Sequence, residues 1–388
     1  MALKHQKHLF DLPEHVTYLN IASQSPAFNS IHQAGLEGLM QKRKPYLITG
    51  SDYFEPVKTL KSLFANLIKA SDYNRIALIP SASYGIATVT NNIVLKPTDE
   101  ILIIDQQFPS NYYSWKKLAD KYQAKIRVIK APNQSNDIGK QWNLDIINAI
   151  NSNTAVVTMG HIHWSNGTLF DLKTIQQKIK QHNGLFIVDG SQSIGALPFS
   201  VKELQPDALI CAGYKWLFGP YGCGYAYFGK AFDNGNPIEE NWINRLDSHD
   251  FSELTNYKQQ YRPLANRYCA GESAAFLNVK MQIAALQQIL DWTPEAIQEY
   301  CKNISLEAVQ QLKALGFTIE NNEYRSHHLF GIKLPKNLDI NTVKNALAKQ
   351  NIYVSYRGNY IRLSCHVYNT AKDFKTLIST FSTLINHN

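Results

Sequence analysis

The chain of 388 residues lacks a Cys-x-x-Cys pair, a long apolar run, a low-complexity segment and an internal repeat. Each absence removes a class of protein. The five cysteines, Cys211, Cys223, Cys269, Cys301 and Cys365, are scattered and odd in number. That argues against a disulfide framework and against a zinc site, and no other metal site is expected. Five reduced thiols in a cytoplasmic protein are the simplest reading. No apolar segment approaches the roughly 20 residues of a membrane helix. The opening stretch "MALKHQKHLFDLPEH" has no apolar core of the kind a secretory signal needs. Concentrated charge is missing too. Lys and Arg total 39 against 31 acids, a net charge of +8, but the densest basic groups, "KHQKH" and "QKRK", are short. Neither a nucleic-acid nor a membrane partner is therefore expected. A nicotinamide-binding fingerprint is also absent. "GPYGCGYAYFG" is not G-x-G-x-x-G, and it precedes a strand pattern rather than a helix.

What is present is ordinary globular composition, 44% hydrophobic and 18% charged, enough for a large core. Short Ile- and Val-rich runs alternate with amphipathic stretches. The runs are "RIALIP" (75–80), "EILIID" (100–105), "KIRVIK" (125–130), "TAVVTMG" (154–160), "LFIVDG" (185–190) and "DALICAG" (207–213). A seventh, "GCGYAYFGK" (222–230), is entered by a tight turn. Strand–helix alternation of this kind predicts an α/β fold, a mostly parallel sheet covered by helices on both faces. Ligands of such sheets sit beyond the carboxyl ends of the strands. Residues 273–315 read as long helices. After Gly316 the order is strand, helix, strand pair, helix, a smaller α/β domain. The expected division is an N-terminal segment 1–20 packing on the small domain, a large domain 21–265, and linking helices with the small domain over 266–388.

Four features fall at successive strand ends. "IPSASYGIATVT" joins a strand to a helix through small polar residues, and free N–H groups at a helix start favour a phosphate. "DQQFPSNYY" presents Phe108 after a strand, where an aromatic ring covers a flat ligand or fills the core. Asp189 ends "LFIVD", with Gln192 three residues on; a turn or helix cap is the other use of such an aspartate. Lys215 stands in "AGYKWLFGPYGCG", between an apolar run and a turn-rich one. A lysine there is either a surface residue or one held for covalent chemistry. Taken in order, the four match the needs of pyridoxal phosphate. Its phosphate wants a helix N-terminus and its ring an apolar face. Its pyridine nitrogen wants a carboxylate, and its aldehyde a lysine for a Schiff base.

The stretch "VDGSQSIGALPFSVKELQPDALICAGYKWLFGPYGCGYAYF" carries V-D-G-x-Q, G-[HY]-K-[WFY] and G-P-x-G-x-G segments in order. On these motifs the chain resembles the class V aminotransferase group of fold-type I pyridoxal-phosphate enzymes. That group includes cysteine desulfurases, kynureninases and isopenicillin-epimerase-like proteins. Similarity continues in "TYLNIASQSP", "HIHWSNGTLFDL", "LANRYCAGESAAF" and "IRLSCHVYNT", and so spans nearly the whole chain. The resemblance implies a seven-stranded, mostly parallel sheet with a smaller C-terminal domain, and a homodimer with its active site at the interface. It makes Lys215 the Schiff-base lysine, sets Asp189 on the pyridine nitrogen and Gln192 on the ring hydroxyl, and gives the phosphate to Ser83 with the backbone of Ala82 and Tyr84. Phe108 stacks on the ring, the Tyr214 hydroxyl reaches the phosphate, and Ser273 reaches across to the partner's phosphate. Arg362 binds the substrate α-carboxylate, with Arg357 and His163 as further substrate contacts; Arg357 reads equally as a hairpin surface residue, and His161 or His163 equally as a core histidine.

The reaction expected is amino-group transfer on an amino acid. Isopenicillin-epimerase-like epimerisation and kynureninase-like or C–S lyase chemistry are the alternatives, and outside the family a non-catalytic binding or regulatory protein. A desulfurase of the usual kind needs a cysteine-bearing loop just before the carboxylate arginine. "RGNYIR" (357–362) has no cysteine and no room for that loop, and Cys365 reads as core.

Overall fold

The computed structural model describes residues 2–133, 137–358 and 360–386. After a short first strand, β1 (Thr17–Tyr18), the chain lays down β2 (Ile76–Ile79), β3 (Glu100–Ile104), β4 (Lys125–Ile129), β5 (Thr154–Gly160), β6 (Leu185–Asp189), β7 (Ala208–Ala212) and β8 (Gly224–Phe228). The last seven form one sheet in the order β2-β8-β7-β6-β5-β3-β4. Every strand expected from the apolar runs is there. The neighbours β4, β3, β5, β6 and β7 pair in parallel, and only β8 runs against both of its neighbours. The reason is local. Residues 213–223 are too few to carry a helical crossover, so the chain folds straight back.

The central strands are apolar on both faces, as a sheet sandwiched between helices requires. Phe186 and Val188 of β6 enter one core and Ile187 enters the other, because successive side chains point to opposite faces. Small polar residues set the helix starts. Ser81 Oγ accepts from Tyr84 N at 3.1 Å and opens the helix Ala82–Asn91. Asp171 does the same for Leu172–Lys180, accepting from Thr174 N at 3.1 Å. Gly85 lets the first of these helices lie close on the sheet. A Cβ there would stand 2.8 Å from Ile79 Cδ1 and 2.9 Å from Ile210 Cγ2.

Two long helices, Phe276–Trp292 and Pro294–Ala314, lead away from the sheet. Pro294 at the first position of the second suits a residue without an N–H. Then come β9 (Thr318–Ile319), β10 (Leu329–Lys333), β11 (Ile352–Tyr353), β12 (Ser355–Arg357) and β13 (Tyr360–Ser364). An antiparallel sheet forms in the order β12-β13-β10-β9. β11 leaves it to pair in parallel with β1, a pairing between distant parts of the chain that the periodicity of either run does not disclose. Gly331 N donates to Asn166 O at 2.9 Å, which docks this sheet on the loop after β5. That loop turns through Gly167 at φ +79, where a Cβ would meet Phe330 Cα at 2.6 Å. Among the described residues no helix is long and apolar enough to cross a membrane.

Candidate active site

The carboxyl ends of β2, β5, β6 and β7 open on one cavity of about 180 Å³. Ala82, Ser83, Phe108, Asp189, Gln192 and Tyr214 line it, with Lys215 and His163. The features expected at separate strand ends therefore share one space.

Lys215 follows β7, whose five residues are all buried, and is itself only 8% exposed. No carboxylate pairs with it in an ion pair among the described residues. Burial pushes its ammonium down to about 8; Asp189 opposes that shift, while Arg362 and Arg357 add to it. Its Nζ lies 5.5 Å from the centres of both the Phe108 and Tyr214 rings. Phe108 is held edge-on by Trp164 at 5.4 Å. Trp164 is fixed in turn by donating from its indole to Gln106 O at 2.7 Å.

Asp189 Oδ1 accepts from Ser191 N at 2.9 Å. This is the turn bond a strand-end aspartate makes, and it leaves Oδ2 without a hydrogen-bond donor among the described residues. Gln192 is more constrained than its sequence suggested. Trp216 donates to Oε1 at 2.9 Å, and Nε2 donates to Ala22 O at 3.1 Å. The amide is thereby oriented, with one N–H left to give. At the helix start, Ser81 consumes the N–H of Tyr84. The N–H groups of Ala82 and Ser83 have no partner among the described residues. Ser83 Oγ lies 3.0 Å from Ser81 Oγ. Two free amides, a hydroxyl and the positive end of a helix make a cradle for a phosphate.

Arg362, in β13, is 1% exposed. It donates to Trp164 O at 2.8 Å, Ser23 Oγ at 2.8 Å and Ser355 Oγ at 3.3 Å. All three acceptors are neutral, and its Nε is buried without a partner. Burial, then Arg357, push the guanidinium down to about 9. Arg357 lies with its guanidinium carbon 5.4 Å from the centre of the Trp164 ring, and its Nε is also unpartnered. A buried guanidinium without an acid is costly to keep, and a ligand carboxylate removes that cost.

His163 is 2% exposed, and both ring nitrogens have protein partners: Asn166 Oδ1 at 2.8 Å and Asp105 O at 3.2 Å. Burial lowers its pKa. Ser273 borders other cavities, beside Lys61 and beside Gly222, rather than this one. No local pattern points to Ser23, Ser355 or the Trp164 carbonyl as partners of Arg362. Ser23 lies in "YLNIASQSP" and Trp164 in "HIHWSNGTLFDL", both stretches of the resemblance, whereas Ser355 lies in neither. Cys211, Cys223, Cys269, Cys301 and Cys365 are all free and buried.

The sheet order, the small C-terminal sheet and this cavity define the fold class expected, that of fold-type I pyridoxal-phosphate enzymes. The family model "Aminotransferase class-V" matches residues 49–377, and the chain belongs to that family. A relative from Bacillus subtilis (strain 168), described as "Uncharacterized aminotransferase YcbU", is 24% identical over 376 residues, covering 96% of this chain and 95% of its own. The apo structure of cysteine desulfurase from Thermococcus onnurineus NA1 superposes with a TM-score of 0.85 at 18% identity, over 100% of both chains. The complex between the cystine C–S lyase C-DES and cysteine persulfide superposes at 0.84 with 19% identity, over 95% of this chain and 98% of that one. Pyridoxal phosphate is the cofactor of this class, and the cradle, the buried lysine and the unpaired arginine fit it.

Proposed function

We propose that the protein is an aminotransferase-like enzyme that acts on the α-amino group or Cα of an amino acid. The observation that carries this is Arg362: a buried guanidinium with only neutral partners, near enough to a buried lysine to help push it down to about 8. When bound, pyridoxal phosphate supplies an aldehyde that condenses with amines and a protonated ring that draws electrons from Cα. In this reading the residues divide the remaining work. Ala82 and Ser83 hold the phosphate end, with Tyr214 beside it, while the Tyr84 N–H, expected to join them, is taken by Ser81. Phe108 covers the ring, Asp189 keeps its nitrogen protonated and Gln192 gives its free N–H to the ring oxygen. Lys215 holds the cofactor and, once released, moves the proton at Cα, since an amine near 8 is a competent base at neutral pH. Arg362, assisted by Arg357, orients the α-carboxylate. His163 positions Trp164 through the loop they share.

The five buried thiols favour this reaction over desulfuration through a protein cysteine. A C–S lyase reading stands second, because elimination from a sulfur-bearing amino acid needs no protein thiol. We further infer a homodimer, in which Ser273 reaches the partner's phosphate, and the division at 21–265 and 266–388. Five free thiols support a cytoplasmic setting. The test is a spectral screen of amino acids of both chiralities, followed by assays for keto acid, racemised product and sulfide. Keto acid without sulfide, sustained only when an amino acceptor is added, is expected. Sulfide from L-cysteine without keto-acid exchange would select the lyase, and a colourless protein that takes up no pyridoxal phosphate would overturn both.

A further inference from the structure

A second cavity, of about 260 Å³, lies under the helix Glu55–Leu67 and shares no lining residue with the first; Ser273 borders it, so in the homodimer inferred above it lies beside the interface. That helix is amphipathic. Leu60, Phe64, Ala65 and Leu67 face inward, and so does Lys61, which is 2% exposed. A lysine on the buried face of such a helix stands where an apolar residue serves packing better. An ammonium has three donors. Among the described residues Lys61 uses one, to Asn266 Oδ1 at 2.6 Å, and forms no ion pair. Asn266 cannot turn away, because its Nδ2 donates to Asn74 Oδ1 at 3.2 Å and Pro263 O at 3.0 Å.

The same cavity holds a second cation. Arg262 lies with its guanidinium carbon 5.5 Å from the centre of the Phe54 ring, and it too has no acid partner. Tyr53 and Tyr73 complete an aromatic wall, with Lys61 Nζ 6.0 Å from the Tyr73 ring centre. The acids that border the space, Glu55 and Asp247, are exposed. Two unpaired cations inside and aromatic faces around them suit one kind of occupant. We propose that this cavity is a second ligand site, for a small organic anion with a flat apolar body, whose carboxylate sits between Lys61 and Arg262. The burial that lowers Lys61 to about 8 is the same feature seen electrostatically: without an anion the charge is disfavoured.

The test uses the holoenzyme carrying Arg362→Ala, so that the substrate arginine cannot bind the probe. Benzoate, acetate and inorganic phosphate are titrated by calorimetry. Benzoate is expected to bind once per chain and more tightly than acetate or phosphate. Adding Lys61→Gln, which keeps a donor to Asn266 but removes the charge, should weaken benzoate roughly tenfold or more, as loss of a charge-assisted bond does. Unchanged benzoate affinity in that variant, or phosphate binding as well as benzoate, overturns the proposal. Should the variant not fold, crystals of the wild-type holoenzyme soaked in 4-bromobenzoate decide. An anomalous bromine peak in the cavity beside Lys61 supports the site, and peaks only elsewhere refute it.

Discussion

At the scale of the residue, Lys215 yields the sharpest expectation. Its ordinary pKa is 10.5, and burial takes it to about 8. The neutral amine is therefore half formed at about pH 8 and nearly complete about one unit above it. Apoprotein should capture pyridoxal phosphate faster as pH rises from 6.5, with a midpoint near 8 and a plateau roughly one unit above it. A rate that keeps climbing towards 10 would mean an ordinary, solvated lysine. Lys215→Ala should retain the fold yet lose the borohydride-stable label on the peptide around residue 215. Arg362→Ala should weaken the productive amino acid by roughly 2–5 kcal/mol, the range seen when a buried charge loses its partner. An unaltered KM would show instead that the guanidinium only ties Trp164 to Ser23.

At the scale of the element, the strand-to-helix unit β2–Ala82 is where position is set. Gly85→Ala pushes a Cβ to 2.8 Å from Ile79 Cδ1 and 2.9 Å from Ile210 Cγ2. It should cost about 1–3 kcal/mol in overpacking and loosen the phosphate cradle one turn away. Thermal melts and cofactor titration read the two effects; a variant as stable as wild type with normal affinity would contradict the close approach. This unit was legible in the sequence, since an apolar run, a capping Ser81 and a helix pattern are all local signals. So were Asp189 and Lys215, each at the end of its own strand. The Gln192 amide was legible only in name. Its orientation comes from Trp216 and Ala22, one of them 170 residues away in sequence. The antiparallel sense of β8 and the β1–β11 pairing were not legible, because direction and partner depend on connections rather than on the composition of either strand.

At the scale of the whole molecule, two properties can be measured. The first is assembly. Leu36, Leu39, Met40, Tyr46 and Leu47 are exposed along one stretch, and Leu277 is exposed beside them on the helix that Gly38 touches. This apolar face supports the homodimer. Sedimentation should give twice the chain mass, and Leu39→Asp should release monomers with weakened cofactor binding; a monomer at all concentrations with full cofactor would rule the dimer out. The second is acid response. His328 and His366 are wholly buried, and burial pushes both down to about 3 from the usual 6.5. Above 6.5 both states are neutral and nothing is lost. As pH falls below 6.5 the unfolded chain takes up protons that the folded one refuses, costing roughly 2 kcal/mol for each histidine by pH 5. The melting temperature should fall over that interval, and a flat profile would mean the two rings are solvated. Arg362 carries one more consequence, in time rather than space. Its hydrogen bonds reach residues 23, 164 and 355, so the pocket proposed for the carboxylate gathers three parts of the polypeptide that leave the ribosome far apart. A nascent chain stopped after β8 holds the residues proposed for the phosphate, with Asp189 and Lys215, but not the arginine proposed for the carboxylate. Under the proposed function, the hold on the carboxylate is thus the last part of the site to be completed during the protein's own synthesis.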